Sequence, residues 1–231
     1  MYCIDTAKVM IIEICATTLK SISNAQDAGA NRIELCENYS VGGITPKIKF
    51  LQESIKLSKL PINVLIRPRA GNFLFSVKEL ENIFKSINKF KDYNVKGFVV
   101  GFVNSQYKLD AKVLNELRSI TDGYELTFHR AFDFLTDQDK ALDLLIDNKF
   151  DRVLCSGSKV DSEKGLKHLK YLNSIAKNNI TIMPGGGINP RNFNLFKEAG
   201  FKEIHLSGIN KKVSLDSDYN RIKEIIEMSK Q

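Results

Sequence analysis

Several absences narrow the class of protein. The 231-residue sequence has no hydrophobic run approaching the roughly 20 residues that a membrane-spanning helix requires. Its opening segment, Met1–Asp5, lacks the basic, then apolar, then small-residue order of a secretory signal, and the first apolar run, Met10–Ile14, is too short for one. We therefore expect a cytoplasmic protein with no membrane partner.

Cysteine is also scarce. Its four occurrences are widely and irregularly spaced: Cys3, Cys15, Cys36 and Cys155. The sequence contains no CxxC pair, which argues against a zinc clasp, and the spacing does not resemble the disulfide framework of a small secreted domain. We expect free thiols.

A nucleic-acid partner is not expected either. The net charge of +7 comes largely from lysines scattered along predicted helices, which is typical of a solvated face. No RNP-type aromatic motif, zinc finger or basic run interleaved with aromatic residues accompanies that charge. No linker or charge block divides the chain, so we predict one domain over residues 1–231.

Short apolar runs alternate with longer segments of helical period, which is the pattern of repeated βα units with parallel strands. Eight such runs are present: Ile11–Cys15, Arg32–Cys36, Ile62–Ile66, Gly97–Gly101, Tyr124–Phe128, Arg152–Cys155, Ile180–Met183 and Glu203–Leu206. Eight is the number of strands in a closed (β/α)8 TIM barrel, and the chain is long enough for one such barrel. We predict an α/β TIM barrel over about residues 10–208, followed by a C-terminal helix over about 216–229.

Three segments carry signals for the start of a helix. Thr45-Pro46 and Asn189-Pro190 each offer an N-cap residue followed by proline, and Ser76 with Glu79 has the spacing of a capping box. We expect helices to begin at these positions.

Alternation along the first two strands predicts which side chains enter the barrel. Glu13 and Cys15 share one face of their strand, and Arg32, Glu34 and Cys36 share one face of the next. An unpaired glutamate would not face the helices, so we assign these side chains to the interior. Buried acids and arginines would form an ion-paired network there.

More polar residues follow the third and fifth strands, at the C-terminal end of the barrel where such enzymes keep their chemistry. Glutamate and histidine are candidate acid–base groups, and arginines are candidate anion clamps. The candidate catalytic residues are Glu13, Glu34, Arg67, Arg69, His129, Arg130 and Asp133. The alternative is that their charges form a structural ion-pair network.

A glycine run follows the seventh strand. Gly185, Gly186 and Gly187, with Ser207 and Gly208 after the eighth strand, lie where barrels commonly bind phosphate. We predict that they hold a small anionic or phosphorylated ligand. The alternative is that the glycines only allow a tight turn.

Six segments carry a family resemblance: Glu13-Ile14-Cys15, Asn31 to Cys36, Ser40 to Pro46, Ile66 to Arg69, Thr127 to Asp133 and Ile182 to Ile188. Their order resembles the CutC copper-homeostasis family from about Ile11 to Gly208. The resemblance implies a cytosolic TIM barrel that forms a dimer or tetramer. It also implies Cu(I) binding, as proposed for some members, at positions that match Cys15 and Cys36.

The resemblance is not complete. Cys15 is followed by Ala16-Thr17-Thr18 where many members have Val-Asp-Ser, and Arg69 is followed by Ala70 to Phe73 in place of a glycine pair and an acid.

Three functional hypotheses follow. The first is copper homeostasis with Cu(I) bound by thiolates, which are soft ligands that select this ion. Its alternative is that both cysteines are ordinary buried small hydrophobes. The second is an enzyme that acts on a small phosphorylated or anionic metabolite. The third is a non-catalytic scaffold, for which we find no uninterrupted exposed apolar stripe.

Overall fold

The computed structural model describes residues 10–210 and 212–231; Cys3 and the opening segment lie outside this part of the chain. Its strands are β1 (Ile11–Ala16), β2 (Arg32–Leu35), β3 (Ile62–Leu65), β4 (Gly97–Val100), β5 (Glu125–Phe128), β6 (Arg152–Cys155), β7 (Thr181–Pro184) and β8 (Glu203–Leu206). Its α-helices are α1 (Leu19–Ala28), α2 (Ile48–Leu57), α3 (Val77–Phe90), α4 (Ala111–Ile120), α5 (Gln138–Asp147), α6 (Leu166–Ala176), α7 (Phe193–Glu198) and α8 (Tyr219–Lys230). Short 3-10 helices cover Tyr39–Val41 and Arg130–Phe134.

The eight strands confirm the predicted barrel. Each strand pairs in parallel with its neighbours in the order β7-β6-β5-β4-β3-β2-β1-β8. A parallel bridge between Gly185 and His205 joins the two outer strands of that order and brings the sheet round on itself. The C-terminal ends of all strands therefore meet at one mouth, which is where barrels place their functional loops.

Side-chain alternation divides each strand between two environments. On β1, Ile12 and Ile14 are fully buried in the apolar layer between the sheet and the helices. Helix α3 adds Ile83, Ile87 and Phe90 to this layer from one of its faces. The other face of β1, which carries Glu13 and Cys15, is thereby directed into the barrel.

Two helix starts differ from the prediction. Helix α2 begins at Ile48, because the Thr45 hydroxyl makes other bonds: it donates to the Arg67 carbonyl at 3.0 Å and accepts from the Arg67 amide at 2.8 Å. Helix α7 begins at Phe193, after a turn in which the Asn189 side chain accepts from the Arg191 amide at 3.0 Å.

The other helix ends agree more closely. The capping box of Ser76 and Glu79 is present at the start of α3. The C-terminal helix runs over Tyr219–Lys230, three residues later at its start than predicted, because Asp218 caps it by accepting from the Arg221 amide at 3.0 Å. None of the helices in the described residues combines the length and apolar character needed to cross a bilayer.

Candidate functional site

Two thiols meet at the mouth of the barrel. Cys15 lies near the end of β1 and Cys36 directly follows β2, and their Sγ atoms are 3.3 Å apart. Cys36 is buried, whereas Cys15 is partly exposed. A carboxylate oxygen of Glu34 joins the two sulfur atoms, all three lying within 4.8 Å of one another. The structure therefore places three metal-ligating groups together on adjacent strands.

An imidazole from β8 adjoins this cluster. His205 Nδ1 lies 2.7 Å from Glu13 Oε1, and His205 Nε2 lies 3.7 Å from Glu34 Oε2. Burial alone would lower the pKa of His205, but the adjacent Glu34 and Glu13 carboxylates outweigh burial and raise that pKa well above its usual range. Sequence reasoning missed His205 as a site residue, although alternation along β8 could have identified it.

Burial and neighbouring groups together decide the protonation states of the side chains in this cluster. The contact with Cys36, together with burial, raises the pKa of the Cys15 thiol. Burial also raises the pKa of Glu34. Burial opposes ionisation of Glu13 as well, yet Arg32 and His205 hold the pKa of Glu13 well below its usual range. At neutral pH Cys15 is therefore a thiol and Glu13 a carboxylate.

A chain of ion pairs runs below the thiols through the barrel. Arg32 lies 2.5 Å from both Glu13 and Glu203, and Arg152 lies 2.7 Å from Glu203 and 2.8 Å from Glu125. Arg32 is 4% exposed and Glu13 is fully buried, so each charge depends on its partners. Of the side chains predicted to face the interior, Glu13 and Arg32 belong to this network, whereas Glu34 pairs with no arginine among the described residues. Sequence reasoning missed Glu203 and Arg152, although strand alternation could have identified both.

Arg67 holds the loops over the mouth together. Its Nη1 group donates to the carbonyl oxygens of Val41, Gly42 and Gly43 at 2.8–3.2 Å, and its Nη2 group donates to the Gly71 carbonyl at 2.8 Å. The side chain lies at the predicted end of the barrel. Most of its donors are used to fix the loops after β2 and β3.

His129 follows β5 and is 5% exposed. Its Nδ1 atom accepts from the Ala131 amide at 3.1 Å, and its Nε2 atom is buried without a hydrogen-bond partner. Burial, assisted by the nearby Arg67 cation, lowers the pKa of His129 to about 3. The ring contacts Phe73, with centroids 4.9 Å apart. His129 is therefore a neutral imidazole at physiological pH.

A second polar group lies at the ends of β5 and β6. Asp133 Oδ2 accepts from Arg130 Nε at 2.9 Å and from the Ser156 hydroxyl at 2.8 Å, and Asp133 Oδ1 accepts from the Ser156 amide at 2.8 Å. Arg130 Nη2 donates to the Ser156 hydroxyl at 3.0 Å. The other end of the guanidinium adjoins Gly186: a Cβ atom added there would lie 3.0 Å from Arg130 Nη1. Gly186 also has φ of 101°, a conformation that favours glycine.

Arg69 does not join these residues. It is ion-paired with Glu79 at the start of α3 and donates to the carbonyl oxygens of Asn72 and Leu74 at 3.1 and 2.9 Å. Its guanidinium packs over the Phe75 ring. Arg69 therefore shapes the loop between β3 and α3. It lies beyond the end of β3, so strand alternation does not direct its side chain into the barrel.

Two of the predicted anion-binding residues, Ser207 and Gly208, line a small cavity. Its volume is about 30 Å³, and Ser207, Gly208, Asn189 and Arg221 are among its lining residues. Gly185, Gly186 and Gly187 are not among its lining residues, so the structure does not bring the five predicted residues together in one cavity. A much larger cavity, of about 540 Å³, opens at the N-terminal end of the barrel.

Comparisons with known proteins relate the chain to one family. The profile of the CutC family matches residues 10–210. A family protein CutC from Pasteurella multocida is 40% identical over 200 residues, covering 86% of this chain and 82% of the relative. The human copper homeostasis protein cutC homolog is 39% identical over 202 residues, covering 87% of this chain and 74% of the relative.

A solved structure is also similar to this chain over most of its length. The crystal structure of a CutC copper homeostasis protein from Streptococcus agalactiae superposes with a TM-score of 0.80 at 32% identity, covering 86% of this chain and 98% of that one. The family profile and the relatives each span most of the chain. The protein belongs to the CutC family.

Proposed function

We propose that this protein serves copper homeostasis in the cytoplasm by binding Cu(I) through Cys15 and Cys36. The observation that carries the proposal is the 3.3 Å separation of the two sulfur atoms. Two metal–sulfur bonds of about 2.3 Å each can span up to about 4.6 Å, so one ion can reach both atoms. Thiolates are the ligand type that selects Cu(I).

Accessibility supports the same proposal. Cys15 is partly exposed at the mouth and Cys36 lies behind it. An arriving ion would therefore meet Cys15 first. Because metal binding requires deprotonated sulfur, the protein would release protons when it takes up the ion.

The test is an anaerobic titration with Cu(I) against a chromophoric chelator. We expect one ion per chain in the wild type and loss of that ion when Cys15→Ser and Cys36→Ser are combined. Cys155→Ser is the matched control, because Cys155 is a buried thiol of the layer between sheet and helices. Unchanged stoichiometry and affinity in the double variant would disprove the proposed site.

A second candidate function is binding, with or without turnover, of a small phosphorylated or anionic metabolite at Arg130. Asp133 and Ser156 hold this guanidinium in place, while its side chain remains 37% exposed. A fixed cation beside the glycine loop after β7 is suited to bind an anion. In an enzyme of this kind, neutral His129 would act as a hydrogen-bond donor, because protonated His129 is scarce at neutral pH.

Thermal-shift measurements test the second candidate. We expect inorganic phosphate or a sugar phosphate to stabilise the wild type but not Arg130→Met. Arg69→Met is the matched control, since Arg69 is an arginine of the same end of the barrel that is bonded to Glu79 and to loop carbonyls. Equal stabilisation of wild type and Arg130→Met, or no stabilisation by any anion, would disprove this candidate.

A further inference from the structure

We infer that Glu34 and His205 complete a four-donor site with Cys15 and Cys36, and that this site takes a divalent cation of the zinc type. The inference rests on the thiol pair of the proposed function and adds two ligands and a second metal class to it.

The donor set is the first argument. The Glu34 carboxylate lies within 4.8 Å of both sulfur atoms; His205 Nε2 lies outside this group of three but only 3.7 Å from Glu34 Oε2. Cu(I) needs only the two soft sulfur ligands, whereas Zn²⁺ is bound by cysteine, histidine and carboxylate in four-coordinate sites. A carboxylate and an imidazole beside two thiols match the second ion.

The orientation of His205 is the second argument. Its Nδ1 atom lies 2.7 Å from Glu13 Oε1, so the ring is held with Nε2 facing Glu34. Metal-bound histidines almost always donate their second ring N–H to a carboxylate or carbonyl, which fixes the ring and its tautomer. Arg32, 2.5 Å from Glu13, in turn fixes that carboxylate. The outer shell of a metal site is therefore already present.

Charge is the third argument. Once a bound metal has displaced the thiol protons, two thiolates and the Glu34 carboxylate would carry three negative charges in a site where Cys36 and Glu34 are buried. The arginines of the network are occupied by Glu13, Glu203 and Glu125. A divalent ion neutralises one more of these charges than a monovalent ion does, and uncompensated buried charge is costly.

The experiment uses Co²⁺ as a spectroscopic probe and Zn²⁺ as its competitor, anaerobically and with the full chain. We expect a thiolate-to-cobalt charge-transfer band, tetrahedral d–d bands and displacement of both by one equivalent of Zn²⁺. Glu34→Gln should lower the Zn²⁺ affinity by at least about 10- to 100-fold, the loss seen when outer-shell partners are removed. The same variant should change Cu(I) affinity far less than Zn²⁺ affinity, because Cu(I) is held by the two sulfur atoms alone.

Controls separate folding from ligation. Glu53→Gln, an exposed glutamate of α2, should retain both affinities. His205→Gln tests the same site from β8 if Glu34→Gln fails to fold, as judged by its circular dichroism and melting temperature. We expect His205→Gln to weaken Zn²⁺ binding much more than Cu(I) binding.

The outcomes distinguish the two proposals. Cu(I) binding without Zn²⁺ or Co²⁺ binding would overturn the divalent site alone. So would Zn²⁺ affinity that is unchanged in both variants, or Cu(I) affinity that falls as far as Zn²⁺ affinity. Zn²⁺ binding without Cu(I) binding would support the divalent site and disprove the proposed copper function.

Discussion

The Sγ atom of Cys15 lies 3.3 Å from the Sγ atom of Cys36, although the strand register places Cys15 beside Glu34. The two thiols therefore meet diagonally, across an offset of two residues. With a rise of about 3.3 Å per residue and strands about 4.8 Å apart, the Cα atoms are separated by about 8 Å. This offset has different consequences for metal binding by the two thiols and for a disulfide between them.

A disulfide between Cys15 and Cys36 is not expected to form. Disulfides join Cα atoms that are usually about 4.4–6.8 Å apart, and larger separations require the backbone to move. We predict that both thiols remain free after incubation of the folded protein with oxidised glutathione, as measured by thiol titration after denaturation and by intact mass. Loss of two hydrogens in the mass, abolished by Cys15→Ser, would contradict the prediction.

Arg32 is expected to stabilise the fold through the ion pairs it makes with Glu13 and Glu203. Removing one partner of a buried ion pair leaves an uncompensated charge and typically costs about 3–5 kcal/mol. We predict that Arg32→Met lowers the free energy of unfolding, measured by urea denaturation, by about that amount.

The control for Arg32 is an exposed ion pair. Lys85 and Glu81 approach to 3.9 Å with 74% and 57% of their side chains exposed. Such pairs contribute little because water screens them. We expect Lys85→Met to leave the unfolding midpoint where it is; an equally small effect of Arg32→Met would contradict the proposed role of Arg32.

Strand alternation predicted the interior of the barrel because burial enforces it. An inward Glu13 can pair with Arg32, whereas an outward one would lie unpaired among apolar side chains. The same rule, applied to β6 and β8, would have identified Arg152 and Glu203. Periodicity is therefore a sufficient guide wherever the backbone remains a strand.

The rim could not be predicted in the same way. Arg67 and Arg69 stand two residues apart, yet Arg67 binds loop carbonyls over the mouth and Arg69 turns to Glu79. Thr45 and Asn189 carry N-cap chemistry, but Thr45 uses it to bond the Arg67 backbone and Asn189 uses it in the turn before α7. Beyond a strand end, bonds between distant loops decide the geometry, and local spacing does not encode them.

Gly43 is expected to couple the loop after β2 to the thiols. It has φ of 82°, and a Cβ atom added there would lie 2.9 Å from Leu65 Cδ2 and 3.2 Å from Cys36 Sγ. We predict that Gly43→Ala both destabilises the fold and weakens Cu(I) binding, because the new methyl group displaces Cys36. Urea denaturation and Cu(I) titration measure the two effects.

Gly123 offers a control with the same backbone conformation. Its φ is 80°, and no atom lies within 4 Å of an added Cβ. Gly123→Ala should therefore show only the left-handed strain, roughly 1–2 kcal/mol, with unchanged Cu(I) affinity. If Gly43→Ala also leaves Cu(I) affinity unchanged, the loop does not position Cys36.

His129 is expected to make stability depend on pH in mildly acidic solution. Its pKa is lowered to about 3 in the folded protein, from an ordinary value of 6.5. Between these values the unfolded chain binds one more proton, so the contribution of His129 to stability is complete above pH 6.5 and is lost as the pH falls. The free energy of unfolding should fall by about 1.4 kcal/mol per pH unit from this group.

The variant His129→Asn isolates this contribution, because asparagine does not titrate and can still accept from the Ala131 amide. Urea denaturation at several pH values between 7 and 4 should give a shallower decline for His129→Asn than for the wild type. His168→Asn, which removes a partly exposed histidine of α6, should follow the wild type. Parallel declines for wild type and His129→Asn would mean that folding does not lower the pKa of His129, which would remove the basis for the neutral donor role proposed for it.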